Sequence, residues 1–201
     1  MIPLLGYSLE LVSAFIGFAI AFITFKGYRL TTSPTLLRLA LSFFFLGFGF
    51  SIQGIIGFLG MQIALDTIII VSTIVIVGTL LETIGYFFLA FSHAINVLGK
   101  RMLVPAVIFI PMAALRTLAI YFLLYSLVET SISYIRIKKQ ETLIIATGIG
   151  LILISEFVKW LSFFEVTDPL FSVFSIVKVI GLIAIFIPVT KFQLKKGVVK
   201  I

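Results

Sequence analysis

PLFSVFSIVKVIGLIAIFIPVT, residues 169–190, is long enough to cross a ~30 Å hydrocarbon core as a helix rising ~1.5 Å per residue, yet it carries Lys178 at its middle. An ammonium at that depth has no water to hold it and needs a partner inside the bundle. At steps of three or four the stretch places Asp168, Ser172, Ser175, Lys178 and Gly181 on one helical face, so a polar stripe runs from one end to mid-membrane. The apolar segment before it carries Glu156 and Lys159. Glu156 stands about as far from the shared turn as Lys178 does, so the two reach similar depth. This predicts a Glu156–Lys178 ion pair, with Lys159 in the same structural cluster.

The rest of the chain has the same character. Its 201 residues are 61% hydrophobic and 11% charged, with a mean hydropathy of +1.29. A soluble domain carries about a quarter charged residues, so this is an all-α, multi-pass membrane protein forming one integral membrane domain. Zero cysteines exclude disulfides and thiolate metal sites, and one histidine leaves no two-histidine haem or metal site. No cofactor is expected. The net charge of +7 lies in short basic clusters between apolar segments, which points to orientation in a membrane and not to nucleic acid. The expected partners are the lipid bilayer itself and other membrane chains, as a homo-oligomer or a larger membrane complex.

Apolar runs fall at 4–25, 36–60, 67–96, 142–164 and 169–190, with a longer region at 102–135. As one helix that region would extend about 50 Å, too long for the bilayer, whereas two spans at 102–115 and 117–135, turning near Arg116, fit. Charge favours the second choice. With seven helices, Lys26, Arg29, Arg38, Lys100, Arg101, Arg136, Lys138, Lys139, Lys191, Lys195, Lys196 and Lys200 share one face. Asp66, Glu165 and Asp168 lie opposite, with only Arg116 among the basic residues. The positive-inside rule then predicts an external amino terminus and a cytoplasmic carboxyl terminus in a cell membrane.

An internal echo accompanies that count. Segments one and two, about 7–57, read as an apolar helix, a basic hinge and an apolar helix ending near Ser51 and Gln53. Segments five and six, about 117–163, repeat this through Arg136–Lys139 and end near Ser155 and Glu156. Segments three and seven would close each triplet around segment four, a three-plus-one-plus-three layout of parallel repeats.

The intramembrane ionisable residues Glu82, Glu129, Glu156 and Lys178 are the candidate transport or proton path, because such residues face the bundle interior and mark polar routes. The alternative is that they are helix-to-helix glue, with Glu156, Lys178 and Lys159 as a structural ion-pair set. Glu129, beside Tyr125 and Ser133, is the proton-carrying candidate, whereas Glu10 falls nearer the outer rim of segment one. Glycines 47, 49, 54, 57 and 60 give segment two a small-residue face for close packing. No phosphate loop, dinucleotide fingerprint, serine elbow or zinc spacing occurs, and the loops are too short for an extramembrane catalytic domain, so no enzyme is expected. Two functional classes remain: a small-solute or proton-coupled transporter or sensor built on an intramembrane polar pocket, and a non-catalytic accessory subunit of a larger membrane complex.

The run Ser175-Ile-Val-Lys178-Val-Ile-Gly-Leu-Ile183, in the last of seven expected helices, resembles the seventh helix of microbial rhodopsins. That resemblance implies retinal held by Lys178 as a Schiff base, although Phe174 stands where the family has its aspartate and segment six lacks the family's tryptophan and proline. The three-plus-one-plus-three layout is similar to that of SWEET-type sugar transporters, without their paired prolines.

Overall fold

The computed structural model describes the backbone of residues 2–60, 68–93, 112–165 and 168–197, and side chains over 4–59, 72–92, 113–161 and 172–191. The described residues form six helices: α1 (Ile2–Thr31), α2 (Pro34–Gly60), α3 (Ile68–His93), α4 (Met112–Ile137), α5 (Gln140–Glu165) and α6 (Asp168–Gly197). All six are long and apolar enough to cross a membrane. Phe15, Phe22, Tyr121 and Ile135 point outward, while Ile20, Phe43, Leu46, Leu123, Ile149 and Leu182 fill the interior. An exterior this apolar suits lipid, where helix association rests on close packing of small residues and on polar contacts.

Each helix packs on its neighbours in the chain, and α6 closes a ring by packing on α1. Gly17 meets Gly47 and Gly54 meets Leu11, so α1 and α2 run antiparallel. Ser42 donates to the Gly85 carbonyl at 2.8 Å and Gly49 faces Gly78, so α3 turns back along α2. Between α3 and α4 the contacts advance together: the Thr83 hydroxyl meets the Leu115 carbonyl at 3.3 Å, and Phe87 packs edge-on to Phe122. These two helices therefore run parallel. Arg116 meets Glu156 and Leu127 packs on Gly150, and further along Gly148 meets Gly181 while Ser155 donates to the Phe174 carbonyl. Helices α4, α5 and α6 thus alternate as α1, α2 and α3 do.

Two turns have matching construction. After α1, Thr32 takes a left-handed φ of 52° and its N–H caps the Tyr28 carbonyl at 2.7 Å. The Ser33 carbonyl then accepts from Leu36 and Leu37, at the N-cap of a helix whose first residue is Pro34. After α4, Lys138 has the same φ of 52°, its N–H caps Tyr134 at 2.7 Å, and the Lys139 carbonyl accepts from Thr142 and Leu143.

The turn expected at Arg116 does not exist. Helix α4 runs through it from Met112 to Ile137. An arginine that finds a carboxylate inside the bundle has no need of the membrane surface, so its charge did not mark a loop. The expected helix at 102–115 lies almost wholly outside the described residues, as do Asp66, Lys100, Arg101 and Lys200.

Candidate functional site

Glu10, Glu82, Arg116, Glu156, Lys159 and Lys178 are all buried, each at most 8% exposed, and they come from five of the six helices. Local sequence places each one. In α1, Glu10, Ser13, Gly17 and Thr24 recur at helical spacing and are buried together, a polar stripe of the kind read in α6. Ser172, Ser175, Lys178 and Gly181 of that α6 stripe are indeed buried. The Asp168 side chain lies outside the described residues.

Glu10 is the hub. One carboxylate oxygen accepts from Lys159 at 2.5 Å and the other accepts a short hydrogen bond from Lys178. The Lys178 ammonium also sits 4.1 Å over the ring of Phe50, whose face adds cation–π attraction. Glu156 forms a second centre, accepting from Arg116 at 3.2 Å and from the Tyr86 hydroxyl at 3.3 Å, with Lys159 at 3.9 Å one turn along α5. Lys159 therefore bridges the two carboxylates. A chain of ion pairs, Lys178–Glu10–Lys159–Glu156–Arg116, runs across the interior.

The expected Glu156–Lys178 pair is thus replaced. Lys178 bonds Glu10 of α1, and Glu156 takes Arg116 and Lys159. Similar depth was a correct criterion, but ring closure brings α1 against α6 and supplies a nearer carboxylate. Glu10, read as an outer-rim residue, and Arg116, read as a turn residue, are the two members that sequence reasoning missed. The stripe of Glu10, Ser13, Gly17 and Thr24 was the signal available for the first.

Glu82 stands beside this chain, within electrostatic reach of Glu10, Glu156, Lys159 and Lys178. Its Oε1 is buried with no hydrogen-bond partner among the described residues, as are Ser13 Oγ and Gln53 Nε2. A Cβ on Gly49 would come within 2.5 Å of the Glu82 side chain, so a glycine on α2 makes the room that the acid occupies. Glu129 is elsewhere. It is partly exposed on α4 and accepts from Tyr125 of its own helix at 3.2 Å. The site therefore gathers Glu82, Glu156, Lys159 and Lys178 from the expected residues and leaves Glu129 outside.

No family model, curated protein or solved structure matches this chain. The cluster offers basic and acidic groups in ion pairs, a carboxylate oxygen without a hydrogen-bond donor among the described residues, and hydroxyl and amide groups around them. The glycines of α2 are engaged within the chain, Gly47, Gly54 and Gly57 against α1 and Gly49 against α3.

Proposed function

We propose that this membrane-embedded protein is a transporter that moves protons, alone or with a small polar solute, through the ion-pair cluster between two three-helix units. The observation that carries this reading is the position of the cluster: Glu10 of α1 is held by Lys159 of α5 and Lys178 of α6, and Tyr86 of α3 by Glu156 of α5, so its bonds cross from one triplet to the other. In transporters built from repeats, the site lies near the midplane at the repeat interface, where movement of one unit against the other exposes it to alternate sides.

Support for a repeat comes from matching contacts. Gly49 faces the Gly78 carbonyl as Ser155 bonds the Phe174 carbonyl, and Gly85 abuts the Ser42 carbonyl as Gly181 abuts that of Gly148. The turns at Thr32 and Lys138 correspond as well. Helices α3 and α4 run parallel, and residues 94–111 between them lie outside the described residues. The parallel run of α3 and α4 supports reading the six described helices as the two triplets of a seven-crossing, three-plus-one-plus-three layout.

In that layout Lys26, Arg29, Arg38, Arg136, Lys138, Lys139 and Lys191 gather at one end, which the positive-inside rule assigns to the cytoplasm, leaving the amino terminus outside. Cysteines placed at Glu165 and Lys138 are expected to react with impermeant thiol reagents from opposite sides; reaction from the same side would withdraw the layout. For transport, vesicles holding the purified protein and a pH-sensitive dye are expected to acidify under an imposed potential, with or without a mixture of small solutes. A lumen that keeps its pH throughout, together with a stoichiometric membrane partner after gentle-detergent purification, would replace the transporter with the accessory subunit. A visible absorption band in that preparation would point to retinal on Lys178.

A further inference from the structure

The buried faces of the two triplets can be laid over one another residue by residue. In α1 and α4, Glu10, Ser13, Gly17, Ile20 and Thr24 fall on Arg116, Ala119, Leu123, Ser126 and Thr130, all buried. In α3 and α6, Thr79, Glu82, Gly85 and Tyr86 fall on Ser175, Lys178, Gly181 and Leu182, again all buried. Lys178 therefore corresponds to Glu82, and Glu10 to Arg116. By the same correspondence, the counterpart of the Glu10–Lys178 bond that joins α1 to α6 would be a charge-exchanged bond between Arg116 of α4 and Glu82 of α3. The Thr83 hydroxyl touches the Leu115 carbonyl at 3.3 Å, so the counterpart residues stand one position along from a direct contact. Here Arg116 is engaged by Glu156 instead, and Glu82 keeps a buried oxygen without a hydrogen-bond partner among the described residues.

We propose that Glu82 is the proton-binding carboxyl of this protein, and that its ionised form docks on Arg116 in a second arrangement of the cluster, the charge-exchanged counterpart of the Glu10–Lys178 bond. This rests on the transporter reading and names its proton site. A carboxyl with a buried, unbonded oxygen is stable when neutral, because the cost of an unmet acceptor is far smaller than that of an unpaired charge. When the O–H bond of Glu82 breaks, the proton leaves to water on the open side. The carboxylate left behind then competes with Glu156 for the Arg116 guanidinium. The charged groups acting on Glu82 are Glu10 from α1, Glu156 and Lys159 from α5, and Lys178 from α6, with Tyr86 one turn along its own helix and Arg116 of α4 held on the far side of Glu156. Glu10 is occupied by two ammonium groups and Glu156 by Arg116 and Lys159, which leaves Glu82 as the acid of the cluster whose cation is not already in place.

Infrared difference spectra of the full-length protein in lipid, recorded across the pH range in which it stays folded, test this. A protonated-carboxyl band is expected that is lost in Glu82→Gln, is shifted in Glu82→Asp, and persists in Glu129→Gln. Loss of that band on raising the pH is expected to perturb arginine guanidinium bands, and the perturbation is expected to vanish in Arg116→Lys. A band that survives Glu82→Gln, or disappears in Glu129→Gln, would overturn the assignment, and guanidinium bands that ignore pH would overturn the docking. Should Glu82→Gln not fold, the Glu82→Asp shift carries the test. Vesicle acidification that continues in Glu82→Gln would remove Glu82 while leaving the transporter reading intact. A Glu82 band in a protein that moves no protons would do the reverse.

Discussion

The triplet α1–α3 and the triplet α4–α6 share turns and helix contacts but differ in the charges on their buried faces. Each begins with a long helix, turns through a single residue at φ 52°, and packs its second helix against its third at backbone contact distance. Yet the first places Glu10 and Glu82 on its buried face, where the second places Arg116 and Lys178. Glu10 of the first triplet is thereby the counter-ion of Lys159 and Lys178 in the second, while Glu156 takes Arg116 from its own triplet. Glu10 and Lys178 could not be buried in lipid as unpaired charges, which cost several kcal/mol there, so this pair specifies the assembly as well as the site.

The largest break in this comparison is expected at the hub. Glu10→Gln removes the carboxylate shared by Lys159 and Lys178 and is expected to cost about 3–5 kcal/mol in detergent unfolding. Lys178→Met combined with Glu10→Gln should cost clearly less than the sum of the two single changes, whereas Lys178→Met combined with Glu156→Gln should be closer to additive. The opposite pattern would restore the pair expected from depth.

Packing between the second and third helices comes next. A Cβ at Gly148 would lie 2.7 Å from the Gly181 carbonyl, and one at Gly85 would lie 2.6 Å from Leu46 and 3.0 Å from the Ser42 carbonyl. Gly148→Ala and Gly85→Ala are each expected to destabilise by about 1–3 kcal/mol. Gly150→Ala, whose new methyl would meet nothing nearer than Leu127 at 3.8 Å, should instead gain a little from helix propensity. A harmless Gly85→Ala beside a damaging Gly148→Ala would separate the two halves.

At the turns, Thr32→Gly and Lys138→Gly relieve a left-handed conformation and are each expected to stabilise by about 0.5 kcal/mol, the strain released being partly offset by the added freedom of glycine when unfolded. The same sign at both turns would sharpen the correspondence. Smallest of all, Glu129→Gln lies outside the ion-pair chain and should move the melting midpoint by less than the equivalent of about 0.5 kcal/mol.

Much of the fold was legible before any coordinates. The apolar runs at 36–60, 142–164 and 169–190 are nearly the helices Pro34–Gly60, Gln140–Glu165 and Asp168–Gly197, because a membrane demands an unbroken run of apolar residues and tolerates few exceptions. The buried stripe through Ser172, Ser175, Lys178 and Gly181 was legible for the same reason: helical spacing fixes which residues share a face. Arg116 misled because a lone arginine in an apolar run looks like a turn as readily as a buried partner. Sequence by itself determined the matching depth of Glu156 and Lys178 and that Lys178 needed a partner inside the bundle. Only the tertiary structure decided which partner, because that depends on how the helices are ordered around the ring. Closing α6 on α1 brought Glu10 to Lys178 from the far end of the chain, while Arg116 went to Glu156 and Glu82 kept a buried oxygen with no hydrogen-bond partner among the described residues.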